Sequence, residues 1–283
     1  MLLLIFFSAQ KAEAIKIGLL TQAHDINIAA SVSADIYDLN KKESLFEIKP
    51  MSVYKFKSSL GQISVVNQEG KEYKLRTNMI AVRNKEAGFL CAKRRWYRGE
   101  FIIYNISGGL TLINKLPLED YLKGVVPSEM PSKWNAEALK AQAIAARSYA
   151  VATRNAGKHA SKGFDLVDTT QDQVYGGASA EKPAADKAVE ETKGIVIVQD
   201  DRGVLPAYYH ASSGGQTKVW SSGSSFLKSV PSVDGNVKKN GHGAGMSQHG
   251  ANNLAAMGWN AYQILNYFYK DFKFAKLSDN WDI

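Results

Sequence analysis

The feature that most constrains the fold is an alanine-rich stretch, residues 135–155, in the middle of the chain. Its apolar side chains recur at roughly helical spacing, which predicts one long helix. Asn135 is placed to cap the start of this helix, and Gly157 is placed to follow its end. At the usual rise per residue the helix is about 30 Å long, enough to cross a small domain. Because alanines let neighbouring backbones approach closely, we expect a buried central helix.

Residues 117–131 precede this helix and contain three prolines, which favours a stop-and-start segment over a continuous element. Glu129 lies in this segment, surrounded by apolar residues and prolines. A carboxyl group in apolar surroundings has a raised pKa because desolvation disfavours the anion, and a general acid near neutral pH needs that setting. The alternative is a carboxylate at the start of the helix that complements the helix dipole.

The composition is that of a folded globular protein. The chain has 283 residues, of which 45% are hydrophobic and 22% are charged, so it can form one large domain or two small ones. The net charge of +8 favours an acidic polymer or surface as partner, although a solvated basic face also explains it. Cys91 is the only cysteine, which excludes a disulfide framework and a cysteine-based metal site.

The first fourteen residues resemble the end of a secretory signal. Residues 2–7 form a short apolar core, and residues 12–14 form a small-x-small cleavage pattern. The apolar run is too short to span a bilayer. We therefore expect an exported protein, with a mature chain that begins near Ile15. The alternative is an uncleaved N-terminal strand, and an uncleaved N-terminus would also be able to keep the protein associated with the membrane.

The order of the predicted elements indicates an α+β fold. Residues 15–114 consist of short β-favouring runs separated by turn signals, one of them at residues 107–109. Further helices are predicted at residues 182–193, 248–257 and 261–269, an extended segment at 164–175, and strands at 195–198, 205–210 and 272–274. Strands first and helices later are typical of this class. We expect a β-rich N-terminal region, 15–115, and a mixed catalytic region with the long central helix, 116–283, packed as one unit.

Three polar segments follow the central helix, at residues 168–175, 210–217 and 241–251. The second and third are rich in glycine, so their backbones can approach a ligand closely. Each segment follows or precedes an apolar element, which places it where functional sites usually form.

These segments leave two other chemistries open. His210 lies close to Ser212 and Ser213, but catalytic partners usually come from distant parts of the chain, and Ser213 lacks the glycine-flanked turn of esterases. His210, His242 and His249 could together hold a zinc ion, although no carboxylate sits at a recognised ligand spacing.

Taken together, the segments resemble those of the SpoIID/LytB family of bacterial cell-wall proteins. The resemblance runs through PLEDYLKGVVPSEMP, ALKAQAIAARSYA, DTTQDQVYGG, AVEETKGIVI, AYYHASSGGQT and GHGAGMSQHGANNLAAMGWNAYQILNYFY. It implies a lytic transglycosylase, a carbon–oxygen lyase that acts on peptidoglycan glycan strands. In sporulation members the preferred strand is denuded, meaning that its stem peptides have been removed. The resemblance implies no cofactor and no nucleic-acid partner.

The resemblance also implies site residues. The family's essential glutamate lies in a Glu-Met-Pro motif, and here that residue is Glu129. One carboxyl is sufficient for this chemistry because the sugar's own 6-hydroxyl is the nucleophile. The candidates for substrate binding or support are Gln142, Arg147, Tyr149, Gln173, Tyr175, His210, Ser212, Ser213, Thr217, His242, Ser247 and Gln248. Gln142 and Arg147 in particular could instead brace the helix.

The chain departs from the family pattern in two places. Residues 226–240 form only a short loop where relatives carry a long segment, which puts the preference for strand length in doubt. Some relatives also carry a Cys/His zinc cluster after the central helix, where this chain offers only His159, so we expect no such metal.

Two other functions stay open. One is a non-catalytic cell-wall binding protein that stimulates an N-acetylmuramoyl-L-alanine amidase, as the LytB name suggests. The other is a structural member of an engulfment or division complex with a membrane-anchored partner.

Overall fold

The computed structural model describes residues 14–106, 108–220 and 225–277. The signal-like run, residues 1–13, lies outside these residues, as does Ser107 of the predicted turn. The chain divides into two compact units. Of the described residues, those within 14–121 and 159–179 form a β-rich unit, and those within 122–158 and 180–277 form a mixed unit. The predicted α+β class is confirmed. The prediction that both regions pack as one unit stays a prediction.

The β-rich unit confirms the predicted series of short strands. These are β1 Ile15–Ala23, β2 Asp25–Ala30, β3 Ala34–Asp38, β4 Glu43–Ile48, β5 Tyr54–Ser59, β6 Gln62–Val66, β7 Glu72–Lys74, β8 Met79–Asn84, β9 Leu90–Ala92, β10 Arg95–Tyr97, β11 Glu100–Ile106 and β12 Gly109–Leu116. Buried residues alternate along some of them: β2, for example, buries Ile26, Ile28 and Ala30. Since successive side chains of a strand face opposite ways, this alternation directs one face to a core.

These strands form two sheets. A further strand, β13, Leu166–Val167, joins them. The seven-stranded sheet has the order β13-β1-β12-β11-β8-β3-β4, and the six-stranded sheet has the order β10-β9-β2-β5-β6-β7. Strand β13, Leu166–Val167, comes from the later segment of the unit and pairs in parallel with Ile17 and Gly18 of β1. The predicted extended segment at residues 164–175 contains this two-residue strand, but bends and turns at residues 168–172 interrupt it.

Residues 117–131 are not the predicted stop-and-start segment. They contain helix α1, Leu118–Glu129, with Pro127 inside it. The buried residues of α1 recur every three or four positions and form one apolar face: Leu118, Tyr121, Leu122, Val125 and Val126. An interior proline costs a helix about 3 kcal/mol. Burying several large apolar side chains contributes about 1.5–3 kcal/mol each, so the helix persists.

The mixed unit is built around the predicted central helix, α2, Ala136–Asn155. The Asn135 side chain accepts a hydrogen bond from the N–H of Glu137 at 2.9 Å, which confirms the predicted cap. Gly157 follows the helix with a φ of 63°, also as predicted. The middle of α2 is buried on every side, including Ala141, Ala145 and Ser148. This burial explains the alanine content, because larger side chains would hold the neighbouring elements apart.

The remaining elements of this unit pack around α2 or pair with one another. They are α3 Pro183–Glu191, β14 Ile195–Gln199, β15 Gly203–Val204, β16 Tyr209–His210, β17 Met246–Ser247, α4 Gln248–Ala256, α5 Ala261–Phe268 and β18 Lys273–Lys276. The predicted helices are confirmed within two residues at each end. The predicted strand at residues 205–210 is strand only at Tyr209 and His210. Within the described ranges, no helix combines the length and the hydropathy that a membrane crossing requires.

Candidate functional site

The second and third polar segments lie side by side in the mixed unit. Strand β16 pairs in parallel with β17, so that His210 lies opposite Ser247. Beyond β16, Ser212 and Asn240 exchange backbone hydrogen bonds at 3.1 and 2.9 Å. The fold thus brings two glycine-rich loops, far apart in the sequence, to one place.

A buried carboxylate, Asp234, joins these loops. Its oxygens accept hydrogen bonds from Ser212 Oγ at 3.2 Å, Ser213 Oγ at 2.7 Å, Ser247 Oγ at 2.5 Å, Ser213 N at 2.7 Å and Gly215 N at 2.9 Å. Burial on its own would raise the pKa of Asp234, but these hydrogen bonds, led by that of Ser247, hold the pKa well below its usual range. We call Asp234 and the three serines the serine cluster.

Asp234 is not among the site residues that the sequence predicts. It lies in the short loop of residues 226–240 and matches none of the motifs on which the resemblance rests. Its hydrogen-bond partners are 13 to 22 residues away along the chain. A single aspartate with distant partners leaves no local pattern, so only the folded structure identifies it.

The hydrogen bonds of the serine cluster differ from those of a serine hydrolase. The hydroxyls of Ser212, Ser213 and Ser247 all donate to Asp234, whereas the serine of a hydrolase donates to a histidine nitrogen. Ser247 also caps α4, because its Oγ accepts the N–H of Gly250 at 3.1 Å. The cluster therefore holds the loops and α4 in place.

His210 lies beside the serine cluster and is only 4% exposed. Its Nδ1 is 3.1 Å from the carbonyl oxygen of Ala244, so Nδ1 carries the proton and donates it. Its Nε2 is buried and has no hydrogen-bond partner among the described residues. Burial lowers the pKa of His210 to about 4. At neutral pH the imidazole is therefore uncharged and presents a bare acceptor nitrogen.

The other two histidines of the zinc hypothesis have different surroundings. His242 is exposed, its Nδ1 accepts the N–H of Ala244 at 3.1 Å, and burial of part of its ring lowers its pKa. His249 packs its ring edge-on against Trp134, 4.7 Å between centroids. Over the described ranges, no three His, Cys, Asp or Glu side chains are grouped as metal ligands would be.

Three other candidates, on or near α2, make internal contacts. Arg147 is fully buried and donates to the carbonyl oxygens of Ile195 and Val189 at 3.2 and 3.3 Å, which are contacts of the bracing kind. Gln142 accepts a hydrogen bond from Gln248 Nε2 at 3.4 Å, and its own Nε2 is buried without a partner among the described residues.

Tyr149 and Thr217 complete the candidates of the mixed unit. The Tyr149 ring meets that of Tyr208 edge-on at 5.6 Å. The Thr217 hydroxyl accepts the N–H of Val230 at 2.8 Å and is almost fully buried, so it ties the loop that starts at Ser213 to the loop that carries Asp234.

Gln173 and Tyr175 belong to the β-rich unit. The Tyr175 hydroxyl donates to Asn114 Oδ1 at 2.9 Å, and Gln173 Oε1 accepts from the Tyr121 hydroxyl at 3.2 Å. The Tyr175 ring also packs against Tyr121, 4.9 Å between centroids. Both candidates are buried and help to hold residues 159–179 within the β-rich unit.

Glu129 is the last residue of α1 and is half-buried. It therefore lies at the C-terminal end of a helix, where the dipole does not stabilise a negative charge. The alternative of a carboxylate at the start of α2 is wrong, since Asn135 holds that place. After Glu129 the chain turns, with the N–H of Trp134 donating to Pro131 O at 2.9 Å, and leads directly into the cap of α2.

Comparison with known proteins identifies related chains. A family model described as SpoIID, Stage II sporulation protein, matches residues 106–199, which include Glu129 and α2. The amidase enhancer of Bacillus subtilis (strain 168) is 33% identical over 214 residues, 73% of this chain and 28% of that protein. Stage II sporulation protein D of the same strain is 36% identical over 137 residues, 42% of this chain and 40% of that protein.

An uncharacterized protein of Brachyspira hyodysenteriae is 38% identical over 123 residues, 43% of this chain and 32% of that protein. The chain therefore spans only 28% to 40% of the length of these relatives.

Proposed function

We propose that this chain, which belongs to the SpoIID/LytB family, is an exported peptidoglycan lytic transglycosylase with Glu129 as its single acid and base. The observation that carries the proposal is the position of Glu129. It lies within the segment that matches the family, half-buried at the C-terminal end of α1, immediately before the turn into the buried central helix. A carboxyl group placed there is partly exposed and is not stabilised as an anion by its own helix.

The reaction needs one carboxyl group that acts twice. Glu129 first protonates the glycosidic oxygen, so that the bond to the leaving sugar breaks and positive charge develops on the muramic acid ring. As a carboxylate it then takes the proton from the 6-hydroxyl of the same ring. The oxygen of that hydroxyl forms the new bond to the anomeric carbon, and the product is a 1,6-anhydro end.

Asp234 is not available as the second carboxylate of a two-carboxylate hydrolase. Such an enzyme needs a second carboxylate that is free to activate water or to form a covalent bond with the sugar. The buried carboxylate Asp234 accepts five hydrogen bonds within the protein, and its role is explained by the loops that it joins.

A second candidate is a non-catalytic wall-binding protein that stimulates a cell-wall amidase. It is favoured by the match to a relative named amidase enhancer, which covers more of this chain than the other two matches do. Both candidates place the protein in cell-wall metabolism, with glycan strands as the shared ligand.

The product of the reaction separates these candidates. The purified protein is incubated with denuded and with intact glycan strands, and the released fragments are separated and identified by mass spectrometry. We expect 1,6-anhydro ends, more of them from denuded strands. If no such ends form while release of stem peptides by an added amidase rises, the non-catalytic function replaces the proposed one.

A further inference from the structure

Residues 216–220 form an extended edge next to the glycine-rich loops of the mixed unit. Gln216 bridges to Pro231, and Lys218 bridges to Ala244, with the N–H of Lys218 donating to Gly243 O at 2.7 Å. Alternate side chains of an extended segment point to the same face. Lys218 and Trp220 therefore share one face of this edge, and Val219 points the other way.

Trp220 presents a flat aromatic surface. The residue is 49% exposed, and its indole stacks on the Tyr208 ring, 4.4 Å between centroids and 15° between planes. His242 meets the indole edge-on at 5.1 Å. Two neighbouring rings thus fix the orientation of the indole, and half of its surface stays open. An exposed, fixed indole is the kind of surface on which the apolar face of a sugar ring stacks.

Two lysines converge beside this surface. A Cβ atom placed on Gly243 would lie 3.4 Å from Lys239 Nζ and 3.6 Å from Lys218 Cδ, so the missing side chain leaves room for both lysines. Hydrogen bonding with Lys218, assisted by desolvation, lowers the pKa of Lys239. Neither ammonium group forms an ion pair with a carboxylate of the described chain. Two cations held this close repel each other, and a bound anion relieves that repulsion.

We propose that Lys218, Trp220, Lys239 and His242 form a subsite for a sugar ring that carries a carboxylate. The indole of Trp220 supports the ring, and the two ammonium groups bind the carboxylate. The proposal rests on the proposed function, because a denuded glycan strand supplies such a sugar: removal of the stem peptide leaves a free lactyl carboxylate on muramic acid. In a strand that keeps its peptides, that carboxyl group forms an amide bond and carries no charge.

The test compares two strands that differ only in this carboxylate. Denuded strands are used as they are, or after their carboxylates have been activated with carbodiimide and reduced to alcohols. Dissociation constants are measured by calorimetry at low salt with the Glu129→Gln chain, so that the proposed reaction does not consume the strands. We expect the untreated strand to bind about tenfold more tightly, the sum of two exposed ion pairs.

Variants assign this preference to the subsite. The double variant Lys218→Gln, Lys239→Gln should bind both strands equally, whereas Lys238→Gln, the same change at the neighbouring exposed lysine, should keep the preference. Trp220→Ala should weaken binding of both strands by about tenfold or more, the size of one lost stacking contact. Val219→Ala, at a residue of equal exposure, should not. Thermal unfolding confirms that each variant is folded.

The proposal is overturned if the double lysine variant keeps the full preference, or if Trp220→Ala binds like Val219→Ala. Failure of the proposed function looks different. In that case the wild-type protein makes no 1,6-anhydro ends, while the binding preference for the carboxylate remains. If anhydro ends form but neither lysine affects binding, the subsite is wrong and the catalytic proposal stands.

Discussion

Ser213 donates both its backbone N–H and its hydroxyl to Asp234, at 2.7 Å each, one to each oxygen of the carboxylate. Ser247 donates to the same carboxylate from the other glycine-rich loop. Asp234 thus sets the distance between the two loops, and the loop of residues 226–240 is part of the site's framework. The carboxylate is fully buried, so water does not reach it. Breaking its hydrogen bonds therefore leaves buried polar groups without partners.

Asp234→Asn should lower the free energy of unfolding by about 3 kcal/mol, because the amide NH₂ would face donors where a carboxylate oxygen now accepts. Urea unfolding measures this change. Asp201→Asn is the matched control, at a side chain that is 76% exposed, and should change stability by less than about 0.5 kcal/mol. Equal stabilities of the two variants would show that the serine cluster does not depend on the carboxylate.

The stability of the protein should fall as the pH drops from 6.5 towards 4. The pKa of His210 is about 4 in the folded protein against an ordinary value of 6.5, so the unfolded chain binds more protons in this window. The linked loss is about 3 kcal/mol across the whole window. Asp234, whose ordinary pKa is 3.8, adds its own loss only below about pH 4.

The measurement is urea unfolding at pH 7, 6 and 5. His210→Gln should remove most of the dependence, and His242, whose pKa burial also lowers, accounts for a smaller slope that remains. His24→Gln, at a side chain that is 88% exposed, should leave the dependence unchanged. A slope in His210→Gln as steep as that of the wild-type protein would assign the pH dependence to another group.

Gly245→Ala should destabilise the mixed unit by about 2 kcal/mol or more. Gly245 has a φ of 71°, and a Cβ atom there would collide with the backbone carbonyl of Tyr208. Gly258→Ala is the control, since Gly258 has a φ of 91° but no atom near the added Cβ. Thermal unfolding of both variants separates the effect of backbone strain from that of the collision. A smaller loss of stability in Gly245→Ala than in Gly258→Ala would contradict the close contact between Gly245 and Tyr208.

Helix α1 forms although the local sequence predicts breaks, because tertiary packing stabilises it. Three prolines in residues 117–131 indicated breaks, although Leu118, Tyr121, Leu122 and Val125 already had the spacing of a helical apolar face. The free-energy cost of Pro127 inside the helix is smaller than the free energy that burial of this apolar face contributes. Giving the periodicity more weight than the prolines would have identified the helix.

The caps of α2 and α5 were predictable because their signals are local. The Asn135 side chain accepts a hydrogen bond from the backbone N–H of the residue two positions later in the chain. Asn260 forms a reciprocal capping box with Gln263, three positions later. The serine cluster shows the opposite case. Its serines were candidates through their motifs, but the carboxylate that holds them together comes from a loop with no motif, and chain topology alone brings it there.

The acid and base role of Glu129 is tested most directly by analysing the products from denuded glycan strands with Glu129→Gln and Glu190→Gln side by side. Glu190 is a surface carboxylate, 66% exposed, and the change at that position is chemically the same. We predict that Glu129→Gln loses at least about a hundredfold in the rate of 1,6-anhydro end formation, as expected for removal of a general acid and base. Glu190→Gln should match the wild-type rate. A Glu129→Gln protein that forms these ends at the wild-type rate would contradict the account.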